Sequence, residues 1–158
     1  MACLLTTGRG LPCKSGVGGL KHIYFVDYGG LGTATDDSSN EPAASAFDGT
    51  INNITGTPTA YKFDIKGNSS LETTVNSSRE NGTTFYESVL NLTLPFLDAA
   101  TNQELKLLAY SRPQVIVEDY NGNRFVVGYE NGADVNGGTI VSGAAMGDLS
   151  GFTLSFQA

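Results

Sequence analysis

The most regular signal along the chain is alternation. Tyr61, Phe63 and Ile65 interleave with Lys62, Asp64 and Lys66, a period of two that turns one face of a strand toward a core. After a turn at Gly67-Asn68 the period resumes with Leu71, Thr73 and Val75. Tyr86, Leu90, Leu92, Leu94 and Phe96 then share one face opposite Glu87, Asn91 and Thr93, which predicts a long strand with that row turned inward. Between these runs the segment NSSRENGTT, 76–84, centres on Asn81-Gly82. That dipeptide tolerates the positive φ of a tight turn, so a polar, protruding hairpin tip is expected.

Lys21 to Tyr28, KHIYFVDY, has His22, Tyr24, Val26 and Tyr28 on one side and Ile23 and Phe25 on the other. A strand apolar on both sides is buried on both, and in a single thin domain the second cover is expected from a neighbouring subunit. Gly29 to Pro58 has little periodicity and exceeds the length a compact domain leaves without structure, so a functional or mobile loop over 29–60 is expected, with one short strand near Ala46 to Ile54. Asp98 to Tyr110 is the one helix. Thr101 and Glu104 form a capping box, Leu105, Leu108 and Ala109 an inward stripe, and Arg112-Pro113 a stop. Val115 and Val117 lead into a second Asn-Gly turn at Tyr120-Asn121-Gly122-Asn123, with Phe125 to Val127 returning. Thr139 to Val141 and the alternating Phe152, Leu154 and Phe156 close the chain. The glycine-rich first twenty residues lack a periodic apolar face. The pattern therefore predicts an N-terminal arm over 1–20 and a single all-β domain over 21–158, a β-sandwich or barrel with one flanking α-helix.

Charge narrows what such a domain can do. Sixteen acidic residues against nine basic ones give a net charge of −7, and no basic cluster offers phosphates a footprint, which disfavours tight nucleic-acid binding. An acidic surface instead leaves a polyanion hydrated and mobile. No apolar run is long enough to span a membrane, and the start carries neither a basic n-region nor an h-region, so a soluble chain outside the general export route is expected. The five Asn-x-Ser/Thr triplets, at Asn53, Asn68, Asn76, Asn81 and Asn91, are then expected to be silent. Cys3, Cys13 and the single His22 are too few for a structural zinc site. The two thiols read as reduced, a small disulfide loop being the alternative.

Candidate chemistry is sparse. His22 is the sole imidazole and sits inside an aromatic strand, where a packed or interfacial role outweighs that of a base. Glu118 and Asp119 are adjacent strand residues that point to opposite faces, and Asp36-Asp37 lies in the long loop. Gly8-Arg9-Gly10 and Gly16-Val17-Gly18-Gly19 neither follow a strand nor open a helix. Asp134-Val135-Asn136-Gly137 lacks the spacing of a calcium loop. No catalytic residue, metal ligand or cofactor is assigned. An enzyme, or a carbohydrate-binding sandwich built without any Trp, ranks below a structural role.

In their order the elements resemble the tail-tube proteins of tailed bacteriophages and the related tubes of contractile injection systems. The likeness is carried by the mid-chain hairpin ending at Thr83-Thr84, the lone helix over 101–110, the hairpin at Asn121-Gly122, and GAAMGDLSGFTLSF from Gly143 to Phe156. The opening ACLLTTGRGLPCKSGVGGLKHIYF is also similar to the start of phage virion proteins. The resemblance implies a virion subunit, assembled in the host cytoplasm, whose rings, usually of six, stack into a hollow tube. Its partners would be copies of itself and other tail or sheath proteins, with DNA passing unbound and no membrane involved. Contacts between copies are then expected from His22, Tyr24, Phe25 and Val26 and, at the hairpin tip, from Arg79, Glu80 and Asn81. A capsid decoration or head-to-tail connector protein is the alternative.

Overall fold

A computed structural model describes residues 7–35, 51, 53–65 and 68–158. Ten strands and one helix follow in chain order: β1 (Leu20–Val26), β2 (Ala34–Thr35), β3 (Asn53–Ile54), β4 (Ala60–Asp64), β5 (Ser70–Ser78), β6 (Thr83–Pro95), α1 (Ala99–Tyr110), β7 (Gln114–Asp119), β8 (Arg124–Val127), β9 (Asp134–Val141) and β10 (Gly151–Gln157). Two four-stranded antiparallel sheets, ordered β4-β1-β7-β8 and β5-β6-β10-β9, form a mainly β sandwich with one helix, as the alternation predicts. A small β2-β3 ribbon lies within the long loop.

The core is built where the two inner faces meet. Ile23 and Phe25 of β1 and Val115 and Val117 of β7 oppose Leu90 and Leu92 of β6 and Phe152 and Phe156 of β10, all of them buried. Phe25 stands edge-on to Phe63 at 5.1 Å between ring centres and tilts against Phe156 at 5.4 Å. Each such pair adds about 0.5–1.5 kcal/mol beyond the area it buries. Leu105 of α1 is buried in the same cluster and Leu108 packs against it, so the helix lies beside β9 as a flank of the core.

On β1's second face the chain itself covers Val26, where a neighbouring subunit was expected, while His22 and Tyr24 stay half-buried and Tyr28 exposed. Val26 and Leu31 are both buried, and Gly30 of the turn after β1 lies so close to Val26 that a Cβ there would come 2.9 Å from Val26 Cγ1. Gln114, also buried, pins that loop: its Oε1 accepts from Leu31 N at 3.2 Å and its Nε2 donates to Tyr129 O at 2.6 Å. Gly56 lies against this turn so closely that a Cβ would come 2.1 Å from Gly30 O, which only glycine permits.

Four further expectations change in detail. Asp98, not Thr101, caps the helix, its Oδ2 accepting from Thr101 N at 3.4 Å, because the helix begins three residues earlier than the capping-box pattern implied. Ala109 of the expected inward stripe is exposed. Tyr86 and Phe96, expected inward with Leu90, Leu92 and Leu94, are exposed at the two ends of that row. β9 begins at Asp134, five residues before the predicted run, because β10 offers a full-length partner. Of the predicted strand over 46–54 and the turn at 67–68, residues 46–50, 52 and 67 lie outside the described residues.

Replacing Phe156 with Ala should destabilise the fold by about 3–5 kcal/mol, read as a lower urea midpoint at unchanged slope.

Candidate functional site

With both inner faces committed to the core, what remains available is two outer faces, the sheet edges and a projecting ribbon. The outer face of β4-β1-β7-β8 carries charges of both signs. His22 Nδ1 lies 2.7 Å from Asp64 Oδ1, close enough for an ion pair when the ring is protonated, though outside the angle of a well-formed hydrogen bond. Lys62 Nζ reaches the same oxygen at 3.1 Å; its hydrogen bond holds the Asp64 carboxyl below its usual range, with the His22 and Lys62 charges adding to the effect. One strand over, Tyr24 OH donates to Glu118 Oε2 at 3.5 Å, and Arg124 Nε approaches that oxygen at 3.6 Å.

The outer face of β5-β6-β10-β9 is chemically different. Its register puts Glu72, Thr74, Asn76, Glu87, Asn91, Thr93, Thr153, Ser155, Gln157, Thr139 and Asp134 on one side. Thr139 and Thr153 hydroxyls are hydrogen-bonded across this surface at 2.5 Å, and Gln157 Nε2 donates to Glu87 Oε1. Every charge on the face is acidic, and no Lys or Arg falls on it.

β5 and β6 outrun the sheet. β10 stops pairing at Val89, with Ala158 bonded to Ser88 through both backbone groups, whereas β5 and β6 continue from Thr74↔Glu87 to Ser78↔Thr83 as a two-stranded ribbon. Ser77 and Thr84 hydroxyls bridge it at 3.0 Å, and Gly82, at φ 63°, turns it. A free two-stranded ribbon is only marginally stable in water, yet this one exposes Val75 and Phe85, at 56% and 57%.

At the opposite end of the same sheet, the loop joining β9 to β10 is tied by Asp148, whose Oδ2 accepts from Ala144 N at 2.9 Å and Ala145 N at 2.7 Å. These donors, Ala145 foremost, lower the carboxyl's pKa, and Met146 stands fully exposed at the crest they shape. Phe96 projects beside this loop, its N donating to Ser150 O at 2.6 Å. Its φ of 75° is one that bulky residues avoid at a cost of about 1–3 kcal/mol, and the residue is 78% exposed.

The sequence-derived contact residues separate into three groups. Phe25 and Val26 are buried within the chain, which removes them from any surface offered to a second copy in this form. His22 and Tyr24 are half-buried on the mixed-charge face. Arg79, Glu80 and Asn81 sit together in the ribbon's exposed turn, where Asn81 N donates to Ser78 Oγ at 3.4 Å. Met146 and Phe85 were missed, and Phe96 was expected inward with Leu90, Leu92 and Leu94 but is exposed. The arm is exposed at every described position from Thr7 to Gly19, and is fastened at its base by Asn121, which accepts from Val17 N at 2.9 Å and donates to Val17 O at 2.8 Å.

Among the described residues no three His, Cys, Asp or Glu side chains cluster as metal ligands, and no helix is long and apolar enough to cross a membrane. No family model matches the chain, and neither the curated proteins nor the solved structures contain a match to it.

Because the Asp148 carboxyl's folded pKa is depressed, the tie it makes is complete above its ordinary, unfolded value and lost as pH falls through the folded one. The amide protons of Ala144 and Ala145 should therefore titrate by NMR with a midpoint below the ordinary aspartate value, and Asp148→Asn should abolish that titration.

Proposed function

We propose that this chain is a structural subunit that assembles with copies of itself into stacked rings, as the tail-tube subunit of a bacteriophage virion. The observation that carries the reading is the pair of free edges on one sheet. Among the described residues β5 and β9 pair on one side only, and they are similar in length, nine and eight residues. Strand direction alternates through β5-β6-β10-β9, so β5 and β9 run oppositely. When β9 of one copy is set beside β5 of the next, the junction is antiparallel, and the alternation continues around a ring of any number. Each junction satisfies rows of backbone groups that would otherwise invite aggregation.

The two outer faces then take different sides of the ring. The face with Glu72, Glu87 and Asp134 and no cation suits a channel wall, since a polyanion finds no counter-charge there to trade for its own ions. The mixed-charge face with His22, Lys62, Asp64, Glu118 and Arg124 suits the outside, where a sheath or other tail protein would bind. The ribbon, projecting along the strand direction, is the part that reaches an adjacent ring.

The exposed arm favours a second reading, a capsid decoration or head-to-tail connector protein that uses residues 7–19 to grip a lattice. Stoichiometry separates the two, because such a protein stays monomeric or trimeric until it meets its capsid.

Purified protein at high concentration should form rings and open-ended stacks by negative-stain microscopy, and strict monomers across salt and concentration would overturn the tube reading. Ile140→Lys, which places a charge at the β9 edge, should abolish rings while leaving the urea midpoint nearly unchanged. Removing residues 77–83 should leave rings that no longer stack; loss of folded protein would instead place the hairpin in the core.

A further inference from the structure

Four Asn-Gly pairs occur in the chain, at 81–82, 121–122, 131–132 and 136–137. The pair is chemically labile because glycine, lacking a Cβ, leaves its amide nitrogen open to the carboxamide carbon of the asparagine before it. When the two meet, Gly N bonds to Asn Cγ, the carboxamide nitrogen leaves as ammonia with the proton of the attacking N–H, and a cyclic succinimide closes. Water then opens the ring at one carbonyl or the other, leaving aspartate or isoaspartate. Water is the only co-reactant, so the fold decides which pairs react.

Three of the four are restrained. The Asn121 carboxamide is held at both ends, Oδ1 accepting from Val17 N at 2.9 Å and Nδ2 donating to Val17 O at 2.8 Å, while Gly122 N donates to Asp119 O at 3.3 Å. Gly132 is buried and its N donates to Gly128 O at 2.9 Å, so the nucleophile of that pair is both covered and engaged. Asn136 lies within β9 between Val135, opposite Phe156, and Gly137, opposite Ser155. Turning its carboxamide onto Gly137 N therefore means opening the ladder on both sides.

Asn81 and Gly82 escape all of these restraints. Both are exposed, in the turn beyond the last ladder pair Ser78↔Thr83. Among the described residues the Asn81 carboxamide makes no hydrogen bond and Gly82 N has no acceptor. The bond that Asn81 does make, from its main-chain N to Ser78 Oγ at 3.4 Å, leaves the side chain free to rotate. A Cβ at Gly82 would meet nothing within 4 Å, so nothing crowds the ring that must close there. We propose that Asn81 is a modification site, at which the folded chain converts spontaneously to aspartate and isoaspartate. The product adds a carboxylate beside Arg79 and Glu80, whose charges now balance, and the isoaspartyl form lengthens the main chain of the turn by a methylene.

Nothing in this chemistry depends on ring formation, so it is read out on dilute, unassembled chain whatever the fate of the assembly reading. After incubation at mildly alkaline pH, peptide mapping by mass spectrometry gives the conversion at each Asn-Gly pair. In the folded chain Asn81 should convert about tenfold or more faster than each of the other three, the factor set by a local opening cost of about 1.4 kcal/mol. In guanidinium chloride all four should convert at similar rates, which shows that the fold makes the difference. Asn81→Gln, whose longer side chain disfavours imide closure, should remove the dominant conversion and leave the melting temperature unchanged. Equal rates at all four pairs in the folded chain, a different pair reacting first, or an inert Asn81 under conditions where the unfolded chain reacts would each overturn the assignment.

Discussion

Everything outside the sandwich is oriented by the packing of Ile23 and Phe25, with Val115 and Val117, against Leu90, Leu92 and Phe156. Side chains alternate along a strand, so a register slip of one residue in β1 or β10 would send this set to solvent and bring His22, Tyr24 or Ser155 inward. The core therefore does more than stabilise. By fixing which residues face in, it fixes a mixed-charge surface on one side of the domain and a surface without cations on the other. Neither surface exists as a property of the sequence until the register is set.

How much could be read in advance follows from the same rule. Where apolar residues alternate strictly, as at Leu90, Leu92 and Leu94 or at Phe152 and Phe156, the strand and its inward row were both legible. The Asn-Gly turns were legible because Gly82 and Gly122 take the positive φ that such turns require. β1 misled because its two faces are both apolar, and the pattern cannot say who covers the second. At Val26 the chain closes over itself through the turn that Gln114 ties down, a polar residue whose burial shows only once both ends of its amide are paired, while His22 and Tyr24 stay half-buried. Phe96 misled for the opposite reason: it obeys the alternation, but the strand ends at Pro95 and the chain turns through a conformation no pattern signals. Of the residues expected at contacts, those in the polar hairpin turn were placed at the surface and the two most apolar, Phe25 and Val26, were not.

Exposed edges carry a hazard that proteins usually blunt with a lysine, a proline or a covering element. The two sheets differ here. β4 carries Lys62 and β8 carries Arg124 at the outer edges of one sheet, whereas β5 and β9 contain no basic residue and no proline. β9 has Gly137 and Gly138 at its middle, and a Cβ at Gly137 would meet nothing within 4 Å, so another backbone can approach there without obstruction. A monomer would gain nothing from leaving these two edges unprotected while shielding the others. A ring built through β5 and β9 has no use for such a block, since each junction pairs the backbone rows of both edges. The same asymmetry accounts for the polar wall: charges of both signs are kept on the sheet whose edges stay free, and the sheet that would close on itself presents hydroxyls, amides and carboxylates.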